Sequence, residues 1–127
     1  MDHSPYLNTA LVNMTATVDK AAQLLKGMDF DAIVVTGISG MLIGPAVAYK
    51  LKKRLAVIRK PDDKDNHASC KIESCMKQGD RWIFFDDMIA TGTTARRVET
   101  LMGYQGWPPM VGSYMYNYGE YTPGRWT

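Results

Sequence analysis

The chain has 127 residues, 46% hydrophobic and 22% charged, with a formal net charge of +2. That is enough apolar material for one domain, residues 1–127, around a sizeable core, and too little charge to argue for nucleic acid or a membrane surface as partner. No apolar run approaches the roughly 20 residues that cross a bilayer, and no signal peptide opens the chain, so a cytoplasmic protein is expected.

The two cysteines, Cys70 and Cys75, match no zinc or redox spacing and read as reduced thiols. Met1 to Tyr6 carries a Ser-Pro turn. From about Thr9 to Lys26 the pattern is helical, with Leu11, Met14, Val18, Ala21, Ala22 and Leu25 on one side and Gly27 placed as a left-handed C-cap. Ala32 to Val35 is a short β-branched strand, and a helix followed by a fully apolar strand points to an α/β sheet covered on both faces.

The turn after it, Thr36-Gly37-Ile38-Ser39-Gly40, lacks the G-x-G-x-x-G spacing of a dinucleotide site, yet its small residues let backbone approach an anion. A helix is expected from about Ile43 to Lys53, closed by Lys50, Lys52, Lys53 and Arg54 as a solvated basic end. Leu55 to Ile58 forms the next strand, with Arg59 and Lys60 at its carboxyl end. Pro61 to Ser69 reads as a polar loop, and Cys70 to Ser74 as a short returning β segment.

The densest signal is Arg81 to Val98, RWIFFDDMIATGTTARRV. A buried strand, Trp82 to Phe85, delivers Asp86 and Asp87 to its carboxyl end; Thr91-Gly92-Thr93-Thr94 then turns into a helix that Thr93 or Thr94 is expected to cap. Free N–H groups at a helix start hold phosphate, helped by the helix dipole. The acids suit hydroxyls or a divalent cation instead. Met110 to Tyr116 is expected as the last strand, followed by an aromatic tail in which Tyr118 or Tyr121 could stack on a base or plug the core. Alternating strands and helices give a three-layer, mostly parallel sheet with helices on both faces, and all three loops leave the carboxyl ends of strands, where open α/β sheets bind ligands.

Asp86 to Thr94, after its apolar strand, resembles the phosphoribosyl-pyrophosphate signature of the type I phosphoribosyltransferases. The resemblance implies that Asp86 and Asp87 bind the ribose 2′ and 3′ hydroxyls, together with Mg²⁺, and that Ala90, Thr91, Gly92, Thr93 and Thr94 wrap the 5′-phosphate. It places the pyrophosphate at the turn of Ser39 and Gly40, where Gly37 to Ala48 is partly similar to adenine-type enzymes but holds no arginine. Arg59-Lys60, then Lys64-Asp65, then His67 is similar to the catalytic loop of orotate phosphoribosyltransferases, which implies catalytic roles for Lys64 and His67. The implied reaction moves ribose 5-phosphate from phosphoribosyl pyrophosphate to a nucleobase, purine or orotate-like, in a homodimer. The hood that reads the base in this family is reduced here. A non-catalytic sensor or assembly module that binds the same sugar is therefore the alternative.

Overall fold

The computed structural model describes residues 13–59 and 72–125. Its elements are α1 (Met14–Leu25), β1 (Ala32–Thr36), α2 (Gly37–Leu51), β2 (Arg54–Ile58), β3 (Ile72–Ser74), β4 (Trp82–Asp86), α3 (Thr93–Tyr104), β5 (Gly112–Met115) and β6 (Glu120–Pro123). They build one six-stranded sheet in the order β3-β2-β1-β4-β5-β6. The four central strands are parallel, and the two edge strands, β3 and β6, run antiparallel to their neighbours.

Every residue of β1 is buried, as a strand covered on both faces requires. Ile33, Val35, Ile83 and Phe85 point toward α1 and α2. Val34, Trp82 and Phe84 point the other way, toward α3. Each large apolar side chain withdrawn from water contributes about 1.5–3 kcal/mol before entropy is counted, so these two faces supply most of the driving force. Trp82, fully buried, keeps its indole N–H satisfied by donating to Pro108 O at 2.7 Å.

Several local expectations are corrected. Lys26 ends α1 in the right-handed helical region and Gly27 is not left-handed, so the chain leaves through Met28 N–H bonded to Leu25 O rather than through a glycine cap. Helix α2 begins at Gly37, not near Ile43, and carries Pro45 within it. Its left-handed cap is Lys52, at φ 58°. The basic end that follows is not simply solvated. Lys53 Nζ donates to Phe30 O at 2.7 Å and sits over the Phe30 ring, while Arg54 opens β2. Nor is the strand within Met110 to Tyr116 the last, because β6 pairs with it through Gly112↔Pro123 to Met115↔Glu120. Tyr121 lies across Gly112, where a Cβ would meet its hydroxyl at 2.0 Å, so this aromatic packs on the sheet edge and does not await a base.

The strong ion pairs collect at the amino ends of the strands. Arg54 holds Asp80 at two points, Nε–Oδ2 and Nη2–Oδ1, both 2.6 Å, and Lys77 N–H also donates to Oδ2. Arg81 similarly binds Asp29 and Asp31. Asp80 is 5% exposed, and the guanidinium hydrogen-bonded to it holds its carboxyl below the usual range against the opposing effect of burial. A depressed folded pKa stabilises above the unfolded value, about 3.9, and the benefit disappears as pH falls through the folded value. Asp80→Asn is therefore expected to lower the melting temperature at neutral pH, with the gap to the parent closing in acid. Melting curves at pH 7 and near pH 3 test this; a gap independent of pH would mean that the carboxylate charge is not what matters.

Candidate active site

The carboxyl ends of β1 and β4 lie together, and each runs directly into a turn and then a helix. At β4 the strand stops at Asp86, whose Oδ1 accepts the N–H of Asp87 at 2.9 Å. Both acids are half-buried. Their backbone carbonyls stay in the sheet, Asp86 O accepting from Tyr116 N–H and Asp87 O from Asn117 N–H, each at 3.0 Å. The main chain is thus fixed on both acids.

The turn that follows is held from within. Thr91 Oγ1 and Thr93 Oγ1 lie 3.0 Å apart, and Arg96 Nη2 donates to Thr91 O at 3.0 Å. Gly92 stands at φ 79°, a left-handed conformation that costs an L side chain roughly 1–2 kcal/mol. It takes the N-cap position expected for Thr93 or Thr94; having no side chain, it leaves the first turn of α3 to Thr91, whose Oγ1 accepts the Thr93 N–H at 3.4 Å. The first intrahelical bond runs from Arg96 N–H to Gly92 O, so the N–H groups of Thr93, Thr94 and Ala95 precede the ladder. Asp86 and Met88 to Thr94 enclose a cleft of about 180 Å³. One acid, Asp86, and the start of α3 line the same cleft, a pairing that suits a hydroxyl-bearing phosphate ester.

At β1 the helix follows at once. Thr36 Oγ1 donates to Ile58 O at 2.8 Å, tying the ends of β1 and β2 together, and Gly37, at φ 75°, starts α2. Ser39 and Gly40 therefore lie in the first turn of a helix, rather than in a loop before one. Gly40 is pressed on the sheet, since a Cβ there would sit 2.9 Å from Val35 Cβ and 3.3 Å from Phe85 O. Arg59, at the end of β2, lines a groove with Gly37 and Ile38 and pairs with Glu73 at 2.9 Å. Both partners are well exposed, so water screens the pair and leaves it easy to exchange. Lys60, Lys64 and His67 lie outside the described residues.

No motif in the sequence marks Tyr116 as part of the site. Its ring tilts over Phe85, with centroids 5.8 Å apart, and its hydroxyl donates to Ser39 O at 3.0 Å. Burial pushes that hydroxyl up to about 12, and the nearby carboxylates of Asp87 and Asp86 push in the same direction. It stays protonated, and a donor, at any ordinary pH.

No family model matches the chain. An adenine phosphoribosyltransferase of Pseudothermotoga lettingae is 33% identical over 100 residues, covering 68% of this chain and 59% of that protein. One from Chlorobaculum tepidum is 34% identical over 99 residues, 66% of this chain and 56% of the relative. Among solved structures, adenine phosphoribosyltransferase of Thermoanaerobacter pseudethanolicus superposes with a TM-score of 0.66 at 22% identity, over 87% of this chain and 71% of that one. Orotate phosphoribosyltransferase of Aeropyrum pernix gives 0.68 at 19% identity, over 82% and 58%. The chain belongs to the type I phosphoribosyltransferase family. The chain spans under two thirds of the length of these curated relatives. The six-stranded sheet with its flanking helices is an α/β fold of the family's type.

Proposed function

We propose that this protein transfers ribose 5-phosphate from phosphoribosyl pyrophosphate to a ring nitrogen of a nucleobase, purine or orotate-like, releasing pyrophosphate. The observation that carries the reading is the cleft at the end of β4, lined by Asp86 and by the turn into α3, where the N–H groups of Thr94 and Ala95 precede the helical ladder. Further support comes from a trypanosomal relative, Trypanosoma brucei adenine phosphoribosyltransferase, solved with AMP, pyrophosphate and ribose-5-phosphate, which superposes with a TM-score of 0.62.

In this reading Asp86 and Asp87 accept hydrogen bonds from the ribose 2′ and 3′ hydroxyls. The amides and hydroxyls of Ala90 to Thr94 hold the 5′-phosphate. The amides of the first turn of α2, at Ser39 and Gly40, face the pyrophosphate, with Arg59 beside them and Lys60, Lys64 and His67 following in the sequence. As the bond from C1′ to the pyrophosphate oxygen breaks, positive charge builds on the sugar, and the two carboxylates shelter it while the base nitrogen forms the new bond. Fixed placement of both phosphate groups does the rest, with no covalent intermediate.

The donor set also fits a hard cation. Asp86 and Asp87 offer adjacent carboxylates, and no cluster of three or more His, Cys, Asp or Glu side chains joins them among the described residues. Mg²⁺ held there would take its remaining ligands from substrate oxygens and would neutralise charge on the leaving pyrophosphate. A cytoplasmic location and a homodimer belong to the same reading.

Calorimetric titration with phosphoribosyl pyrophosphate and Mg²⁺, then a panel of nucleobases scored for pyrophosphate release, tests it. Tight binding with release on one base is the expected result. Binding without release on any base would favour the sensor, and no preference over ribose 5-phosphate would remove both.

A further inference from the structure

Two separate helix starts must act on one extended substrate, so their relative placement has to be fixed to within a fraction of an ångström. Tyr116 touches the first of them and the strand that leads into the second. Its backbone N–H donates to Asp86 O at 3.0 Å, at the end of β4, and its hydroxyl donates to Ser39 O at 3.0 Å, in the first turn of α2. Between these ends its ring lies against Phe85, whose carbonyl in turn sits under Gly40. Ser39 and Tyr116 are 77 residues apart in the chain, and their bond is part-buried.

We infer that Tyr116 is a positioning residue, which holds the first turn of α2 at a set distance from the two acids and so sets the span between the pyrophosphate and ribose halves of the site. This rests on the functional reading above. The ring and the hydroxyl do different work. The ring belongs to the core beside Phe85 and Tyr114, whereas the hydroxyl is a single strut to the Ser39–Gly40 peptide. Tyr116→Phe removes the strut and keeps the ring.

The effect should be confined to ligands that use the α2 turn. A part-buried hydrogen bond of this kind corresponds to about a three- to tenfold change in an equilibrium constant. Titration of the parent and of Tyr116→Phe with pyrophosphate, phosphoribosyl pyrophosphate and ribose 5-phosphate, each with Mg²⁺, reads this out alongside a melting curve. The expected result is weaker binding of the first two by about three- to tenfold, with ribose 5-phosphate within twofold and little change in melting temperature. Equal weakening of all three together with a lower melting temperature would reduce Tyr116 to a packing role and overturn the inference, as would no change at all. A parent protein that binds none of the three would remove the functional reading itself, and with it this role. A parent that binds all three, unaltered by the substitution, would remove only the role.

Discussion

Replacing Asp86 and Asp87 together with asparagine is expected to lower turnover by about a thousandfold or more while leaving the melting temperature close to the parent's. The two halves of that expectation have different causes. Asparagine keeps the size and the hydrogen-bonding capacity toward a sugar hydroxyl, so ground-state binding should suffer modestly. What it removes is negative charge, which matters most when positive charge has built up on the sugar ring, and an interaction strengthened only in the transition state appears in kcat. The fold should tolerate the change because both acids are half-buried and anchored through the main chain, by the carbonyl bonds to Tyr116 and Asn117. The one side-chain bond inside the pair, from Asp87 N–H to Asp86 Oδ1, can be made equally to an asparagine oxygen. Steady-state pyrophosphate release and a melting curve on the same preparation decide the matter. A large drop in melting temperature would make the acids structural; undiminished turnover would remove them from the chemistry.

How much of this site was legible beforehand depended on how local its causes were. The strand-turn-helix from Trp82 to Thr94 is written in consecutive residues, and the structure places strand, acids and turn in that order. The glycines after Thr36 read as a turn and put the start of α2 near Ile43, but the helix begins at Gly37 and carries Gly40, Gly44 and Pro45 within it. Strand β6 was hidden by its shortness and its terminal proline, which lower any strand signal; it exists because β5 offers it an edge. Side-chain chemistry points to a threonine as the cap of α3, yet the residue just before the helix is left-handed, and Gly92 supplies it. Tyr116 could not be read at all. It looked like one of several aromatics near the end of the chain, and only the fold brings it to Ser39.

The same distinction governs the second large effect, at Gly44. The sequence shows a glycine within a helix, which on propensity alone predicts that alanine would stabilise by up to about 1 kcal/mol. Packing reverses the sign. A Cβ at Gly44 would lie 2.5 Å from Val35 Cγ1, and 3.6 Å from Phe85 Cδ1. Val35 is fully buried in a central strand, and its β-branched side chain has little rotamer freedom with which to yield. Since the sheet is held by parallel pairing on both sides of β1, the element free to move is α2. Overpacking of this kind typically costs 1–3 kcal/mol, so Gly44→Ala should be a net destabiliser by about 1 kcal/mol and Gly44→Leu by about 3 kcal/mol. Denaturant unfolding of both variants measures it, and a Gly44→Ala protein more stable than the parent would show that helix propensity outweighs the contact. Lifting α2 also lifts its first turn away from Tyr116 and the acids. Binding of pyrophosphate should then fail in Gly44→Ala before binding of ribose 5-phosphate does, because only the former depends on where that helix begins.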